Sequence, residues 1–399
     1  MRNVGILGVG QTDFVTKRTD VTYPELVREG AQLAFDDAGL SMSDIEAVVV
    51  PLAPDALIGI GNGERWLIES IGATGKPVMR VNNGGATGAS AVEAAWMHVA
   101  SGLFDVVLVA GADRVSESLS AQSVLNKMWD VAYERPYPQN TITMLAMSAM
   151  RYNHMYGADE RDMARVTVKN RRHASLNPHA HLRELVTEDD VLNSRILAWP
   201  LKLGDVCPSS TGGAALILVS EEYASRLDKP VAWIRGLGQN TETFWMGDRV
   251  GPQALGDHAD ADALAVAFDR AYAQAGITDP TTQIDVAEIY APFSSVEFHV
   301  IEAAGLCARG EAPALLAGGA FHLGAEGVVV NPSGGTQCTN PIAVTGTVRV
   351  IEAATQVLGR AGDRQVAGAN VAIASAIGGD HQFYSTFVIA NHLDPIGHP

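Results

Sequence analysis

Cysteine is scarce: Cys207, Cys307 and Cys338 are the only three in 399 residues. They lie too far apart for a CxxC pair or a disulfide framework, which points to a reducing compartment and a cytoplasmic protein. Aromatic residues make up only 6% of the chain. Small side chains must therefore fill the interior, which suits stacked α/β layers better than an all-β barrel. Basic residues are outnumbered, 28 Lys and Arg against 45 Asp and Glu, for a net charge of −17. That imbalance excludes nucleic acid and anionic membrane as natural partners. No run reaches about 18 uninterrupted apolar residues, so no membrane insertion is expected. The apolar part of the opening MRNVGILGVGQTDF is too short for a signal-peptide core. A P-loop and a GxSxG elbow are also missing. Gly8-Val9-Gly10 lacks the last glycine of a dinucleotide fingerprint, because Asp13 stands there. His179-Ala180-His181 has no third ligand at a sensible spacing, so no metal is expected.

What remains is a chain with 47% hydrophobic residues and 40 glycines, long enough for two domains. Its plainest feature is an internal repeat. An amphipathic helix, a loop and a strand over Leu26–Val50 return over Leu264–Ala291. The glycine-led helix after Gly84-Gly85 returns after Gly334-Gly335 and Thr345-Gly346, and the strand Asp105–Asp113 returns as Asn370–Asp380. Alternating strands and helices predict a mixed sheet with covering helices in each half. Helix starts this poor in side chains can be buried against another backbone. Two of them between the halves predict a five-layered α/β/α/β/α sandwich of two duplicated halves. The first half is placed at 1–228, with an inserted region at about 117–203 holding helices over Met144–Tyr156 and Met163–Leu182. The second half is placed at 229–399.

Several segments resemble the thiolase superfamily, over nearly the whole chain. They are Val81-Asn82-Asn83-Gly84-Gly85-Ala86-Thr87-Gly88, Asp105-Val-Val-Leu108 to Ser116, Asp205-Val-Cys207-Pro208 with Gly212-Gly213, and Val330-Asn331-Pro332-Ser333-Gly334-Gly335. The last two resemble sterol-carrier or lipid-transfer-type members. The departures bear on function. The family's nucleophilic Cys falls at Gly85, its GHP loop reads Thr339-Asn340-Pro341, and its second Cys is Ala376. A glycine carries no nucleophile, so no acyl-enzyme forms there. The resemblance then implies the aldolase-like group of steroid side-chain degradation. Those proteins split a β-hydroxyacyl-CoA into a ketone or aldehyde and a shorter acyl-CoA, beside a small zinc-ribbon/OB-fold partner.

A retro-aldol cleavage needs proton transfer and a held thioester oxygen, and no cofactor beyond the substrate's coenzyme A. The candidates for proton work are Tyr290, His381 and Asp380, with Asn340 orienting an oxygen. Backbone at Gly85, Gly378 and Gly379 is the expected oxyanion site. Cys338 is read as the thiol of the substrate-facing loop, and Cys207 and Cys307 as structural. Loss of the side chain at Gly85 is expected to make room for a branched substrate carbon.

The stretch Met163–Arg183 holds no carboxylate. Its Arg165, Lys169, Arg171 and Arg172 are the expected partners of coenzyme A phosphates. Two other readings stay open: an acyltransferase or thiolase with a displaced nucleophile, or a non-catalytic thiolase-shaped subunit. A homodimer, and a heterotetramer with the small partner, follow from the resemblance.

Overall fold

The first helix shows how local sequence sets the elements. Thr22 and Glu25 form a reciprocal capping box, Pro24 sits in the first turn, and Gly39 closes the end at φ 70°. Between them Leu26, Val27, Ala31, Ala34 and Phe35 are buried, one stripe of an amphipathic helix.

The computed structural model describes residues 1–118, 121–137, 139–249, 256–379 and 381–396. In chain order the first half holds β1 (Val4–Gln11), α1 (Tyr23–Ala38), β2 (Ala47–Pro51), β3 (Val78–Val81), α2 (Thr87–Ala100) and β4 (Val106–Arg114). The insertion contributes α3 (Thr141–Tyr156) and α4 (Glu160–Ala174), before β5 (Thr211–Ser220) completes that half. The second half holds β6 (Ala232–Thr241), α5 (Asp262–Ala275), β7 (Val286–Glu288) and α6 (Ser294–Ala303). It ends with β8 (Val329–Val330), α7 (Thr345–Val357), β9 (Val371–Gly378) and β10 (Phe383–Ala390).

The sheet order is β3-β2-β4-β5-β1-β6-β10-β9-β7-β8. Read outward from the middle, each half repeats the same order of counterparts, so the duplication seen in the sequence is a duplication of topology. The halves do not keep separate sheets. Val4, Gly5 and Ile6 of β1 pair antiparallel with Ile234, Trp233 and Ala232 of β6. Each strand thereby covers the other's open edge, which would otherwise expose unpaired backbone groups.

Helix α1 packs on β1, β4 and β5, and α5 packs on β6 and β10. Between the two half-sheets α2 meets α7. A β-carbon added at Gly88 would stand 2.6 Å from the Thr347 amide nitrogen, and one at Gly346 would strike that of Ala89. The side-chain-poor helix starts therefore let two backbones touch, as the five-layered reading requires. Helix α4 stops at Ala174, earlier than the sequence suggests. The chain turns there, with Asn177 and Pro178 following. Among the described residues no helix is long and apolar enough to cross a membrane.

Candidate active site

Strand β7 stops pairing at Glu288, and the next two amides are held by side chains instead. Ile289 N–H donates to Asn331 Oδ1 at 2.9 Å, and Tyr290 N–H donates to Ser375 Oγ at 3.1 Å. Buried amides need such partners, and here they fix the backbone under the Tyr290 ring. The ring is 6% exposed. A β-carbon at Gly85 would lie 2.7 Å from the Tyr290 hydroxyl oxygen and 2.5 Å from the Ile377 carbonyl oxygen. A cysteine cannot stand at Gly85 unless both contacts are relieved. The expected room for a branched substrate carbon is corrected by the same geometry: the phenol occupies it.

Five other tyrosine hydroxyls find protein acceptors: Tyr23 on Ala112, Tyr152 on Glu302, Tyr156 on Asp260, Tyr272 on Ala304 and Tyr384 on His381. Among the described residues the Tyr290 hydroxyl has none. Buried tyrosines ordinarily satisfy that group, so an open phenol is suited to a substrate oxygen. Burial pushes its pKa up, with Cys207 and Asp113 adding to the rise.

Asn340 sits in a loop laced to β5 and reaches the Cys207 thiol, an electrostatic neighbour of this phenol. Its N–H donates to Ser210 Oγ at 3.0 Å, and Ser210 N–H returns to the Asn340 carbonyl. Thr345 Oγ donates to Asn340 Oδ1 at 2.9 Å, which fixes the amide so that Nδ2 faces Cys207 Sγ at 3.1 Å. Asp113, buried and pushed up to about 6, accepts the Ala343 N–H at 2.7 Å and anchors the loop.

Cys207 is the residue that sequence reasoning missed. Its N–H donates to the Pro292 carbonyl at 2.9 Å, and Val206 bridges to Phe293, which brings the thiol to the Tyr290 segment. Burial pushes the thiol up to about 12, against only a hydrogen bond from Asn340 and a backbone bond. It holds its proton at neutral pH and is a weak nucleophile. The only signal in the sequence was its place in the resembled Asp205-Val-Cys207-Pro208 stretch.

The glycine turns come together. A β-carbon at Gly84 would lie 2.8 Å from the Gly379 nitrogen, and one at Gly378 would strike the Asn83 carbonyl. Gly85, Gly378 and Gly379 thus surround the start of α2, where amides carry partial positive charge. His381 sits at φ 48° in a cleft with Arg249 and His258, and His258, His299 and Arg249 are its electrostatic neighbours. Asp380 lies outside the described residues. Cys338 is a correction: it is buried with Ala174, Ala180 and Leu182, and its thiol is pushed up to about 12.

The basic stretch is dismantled by the fold. Lys169 is 0% exposed and bonds Glu297 at 2.8 Å and the Val330 carbonyl at 2.9 Å, so it is no phosphate ligand. Arg165 pairs with Asp162 at 2.6 Å and approaches Glu188 at 3.6 Å. The carboxylates absent from the stretch are supplied by its neighbours in space. Arg171 is half-buried and Arg172 exposed, which leaves these two to present charge. His179 bonds Asp13, and His181 bonds Ser210, each at 2.9 Å.

The thiolase N-terminal domain family matches residues 4–222, and the thiolase C-terminal domain-like family matches residues 253–391. The chain belongs to the thiolase superfamily. It is 30% identical over 381 residues to an acetyl-CoA acetyltransferase of Methanothermobacter thermautotrophicus, covering 95% of this chain and 97% of that protein. It is 31% identical to sterol carrier protein 2 of Gallus gallus, covering 94% of this chain and 70% of that protein. A solved structure of the Ltp2–ChsH2(DUF35) aldolase matches at 27% identity and a TM-score of 0.82, covering 98% of each chain. Within the superfamily the protein is SCP2-like. In this thiolase-like chain position 85 carries glycine, and a tyrosine hydroxyl faces it.

Proposed function

We propose that the protein cleaves the Cα–Cβ bond of a β-hydroxyacyl-CoA by a retro-aldol reaction, releasing a ketone or aldehyde and a shorter acyl-CoA. One observation carries this reading: an open phenol oxygen at Tyr290 stands where a side chain at position 85 would stand. In one relay the phenol oxygen takes the β-hydroxyl proton while handing its own proton to the α-carbon, so it never carries two. The Cα–Cβ bond's electron pair passes to the α-carbon with enolate charge developing on the thioester oxygen. Tyr290 ends as it began, and no further reactant is consumed. Amides at Gly85, Gly378 and Gly379 hold the enolate oxygen, and the fixed Asn340 amide orients the substrate. Arg171 and Arg172 take the coenzyme A phosphates, and no other cofactor enters. The Ltp2 aldolase structure includes a ChsH2(DUF35) companion. By that analogy this chain works beside a companion protein; that the companion is a small zinc-ribbon/OB-fold protein and the chain a dimer rests on the sequence resemblance, and the cytoplasmic location on composition.

A second reading, acyl transfer, is favoured by the Cys207 thiol at the site and by relatives named acetyltransferases. The raised thiol pKa weighs against it. The deciding experiment offers the protein, alone and with its co-purified companion, a branched β-hydroxyacyl-CoA or a β-oxoacyl-CoA plus free CoA. A carbonyl product from the first supports the lyase. Thiolysis of the second, abolished by alkylating Cys207, would replace it with acyl transfer.

A further inference from the structure

The contact between Gly85 and Tyr290 is tight from both sides. Gly85 cannot retreat, because the turn leads into α2, whose Gly88 is backed by the Thr347 backbone. Tyr290 is pinned through its amide to Ser375. The Ile377 carbonyl, third wall of the same space, belongs to β9, where Ile377 pairs with Tyr384 of β10. One side chain's worth of volume is therefore enclosed by three fixed elements, and the phenol oxygen has it.

We propose that Gly85 and Tyr290 act as one specificity-determining pair, in which the phenol oxygen and a side chain at position 85 exclude each other. The pair selects a thioester with a hydroxyl on its β-carbon, which the phenol can hydrogen bond. It rejects one with a β-carbonyl, whose cleavage needs an attacking atom from residue 85. This rests on the lyase reading for its chemistry, and on the distances alone for its sterics. Gly85 is then glycine on account of Tyr290 as well as the Ile377 carbonyl.

The test is a four-member cycle of wild type, Gly85→Ala, Tyr290→Phe and the double variant, read by thermal unfolding and by carbonyl release from a β-hydroxyacyl-CoA. The added methyl pushes the phenol aside, and a displacement of about 1 Å costs on the order of 100-fold in turnover. In the Tyr290→Phe background the same methyl meets no hydroxyl. Its penalty in Tm there is expected to be about 2–4 °C smaller. Equal Tm penalties in both backgrounds would overturn the pair, as would a turnover of Gly85→Ala within threefold of wild type. If Gly85→Ala does not fold but the double variant does, the pair stands. If neither folds, the Ile377 carbonyl alone dictates glycine and the pair falls. Absence of carbonyl release from wild type would remove the lyase reading, while the Tm cycle still decides the steric claim.

Discussion

Tyr272 and Tyr290 are buried to nearly the same extent, 7% and 6% exposed, yet only one is finished as a structural residue. Tyr272 sits on α5 and donates to the Ala304 carbonyl at 2.8 Å, closing the seam between α5 and the end of α6. Tyr290 follows the end of β7, where its amide is satisfied and its hydroxyl is not. Burial alone does not distinguish a packing tyrosine from a working one. The fate of the hydroxyl does, because a phenol already committed to a carbonyl has nothing to offer a substrate.

The comparison breaks most visibly at Tyr290. Tyr290→Phe should lower carbonyl release by about 100- to 10,000-fold, with the melting temperature held or raised, since no bond is lost. Steady-state assays beside calorimetry check this, and a turnover within threefold of wild type would end the proton-transfer role. Tyr272→Phe should do the opposite. It strands the Ala304 carbonyl and costs about 1–3 kcal/mol in denaturant unfolding, while turnover stays unchanged.

A third way to sharpen the contrast is acid. Burial lowers His258 to about 4 and His299 to about 3, so the folded protein leaves them neutral while the unfolded chain protonates near 6.5. Where the unfolded state binds more protons, stability falls as pH falls, here from about 6.5 down towards the folded values. Unfolding midpoints at pH 7.5 and 5 should differ in that sense, and His299→Gln should flatten the difference. The smallest effect is expected at Cys207. Cys207→Ala should change carbonyl release by less than about tenfold, because a thiol near 12 is no nucleophile. Complete loss in Cys207→Ala, with the fold intact by circular dichroism, would favour acyl transfer.

The duplicated topology was legible because helix periodicity, glycine-led helix starts and turn residues are local and recur in order. Gly85, Asn340 and Tyr290 were legible as positions in the resembled motifs. The contact of Gly85 with Tyr290 was not, since residues 85 and 290 meet only when the halves close on each other. Lys169 failed for a related reason. A run without carboxylates reads as an open basic patch, but one face of α4 turns inward and Glu297 of α6 meets it. Cys338 and Cys207 exchanged roles on similar grounds. Sequence position put Cys338 in the active loop, while the packing of Ala174, Ala180 and Leu182 sealed it off. The bridge from Val206 to Phe293 brought Cys207 in.

The amino-acid order by itself determined the superfamily, the repeated halves and the missing sulfur at Gly85, because these depend on residue type and spacing along the chain. The tertiary structure alone decided what filled the gap, which thiol faces it and which cations are neutralised. Those outcomes depend on distances between segments far apart in sequence, and no local pattern encodes them.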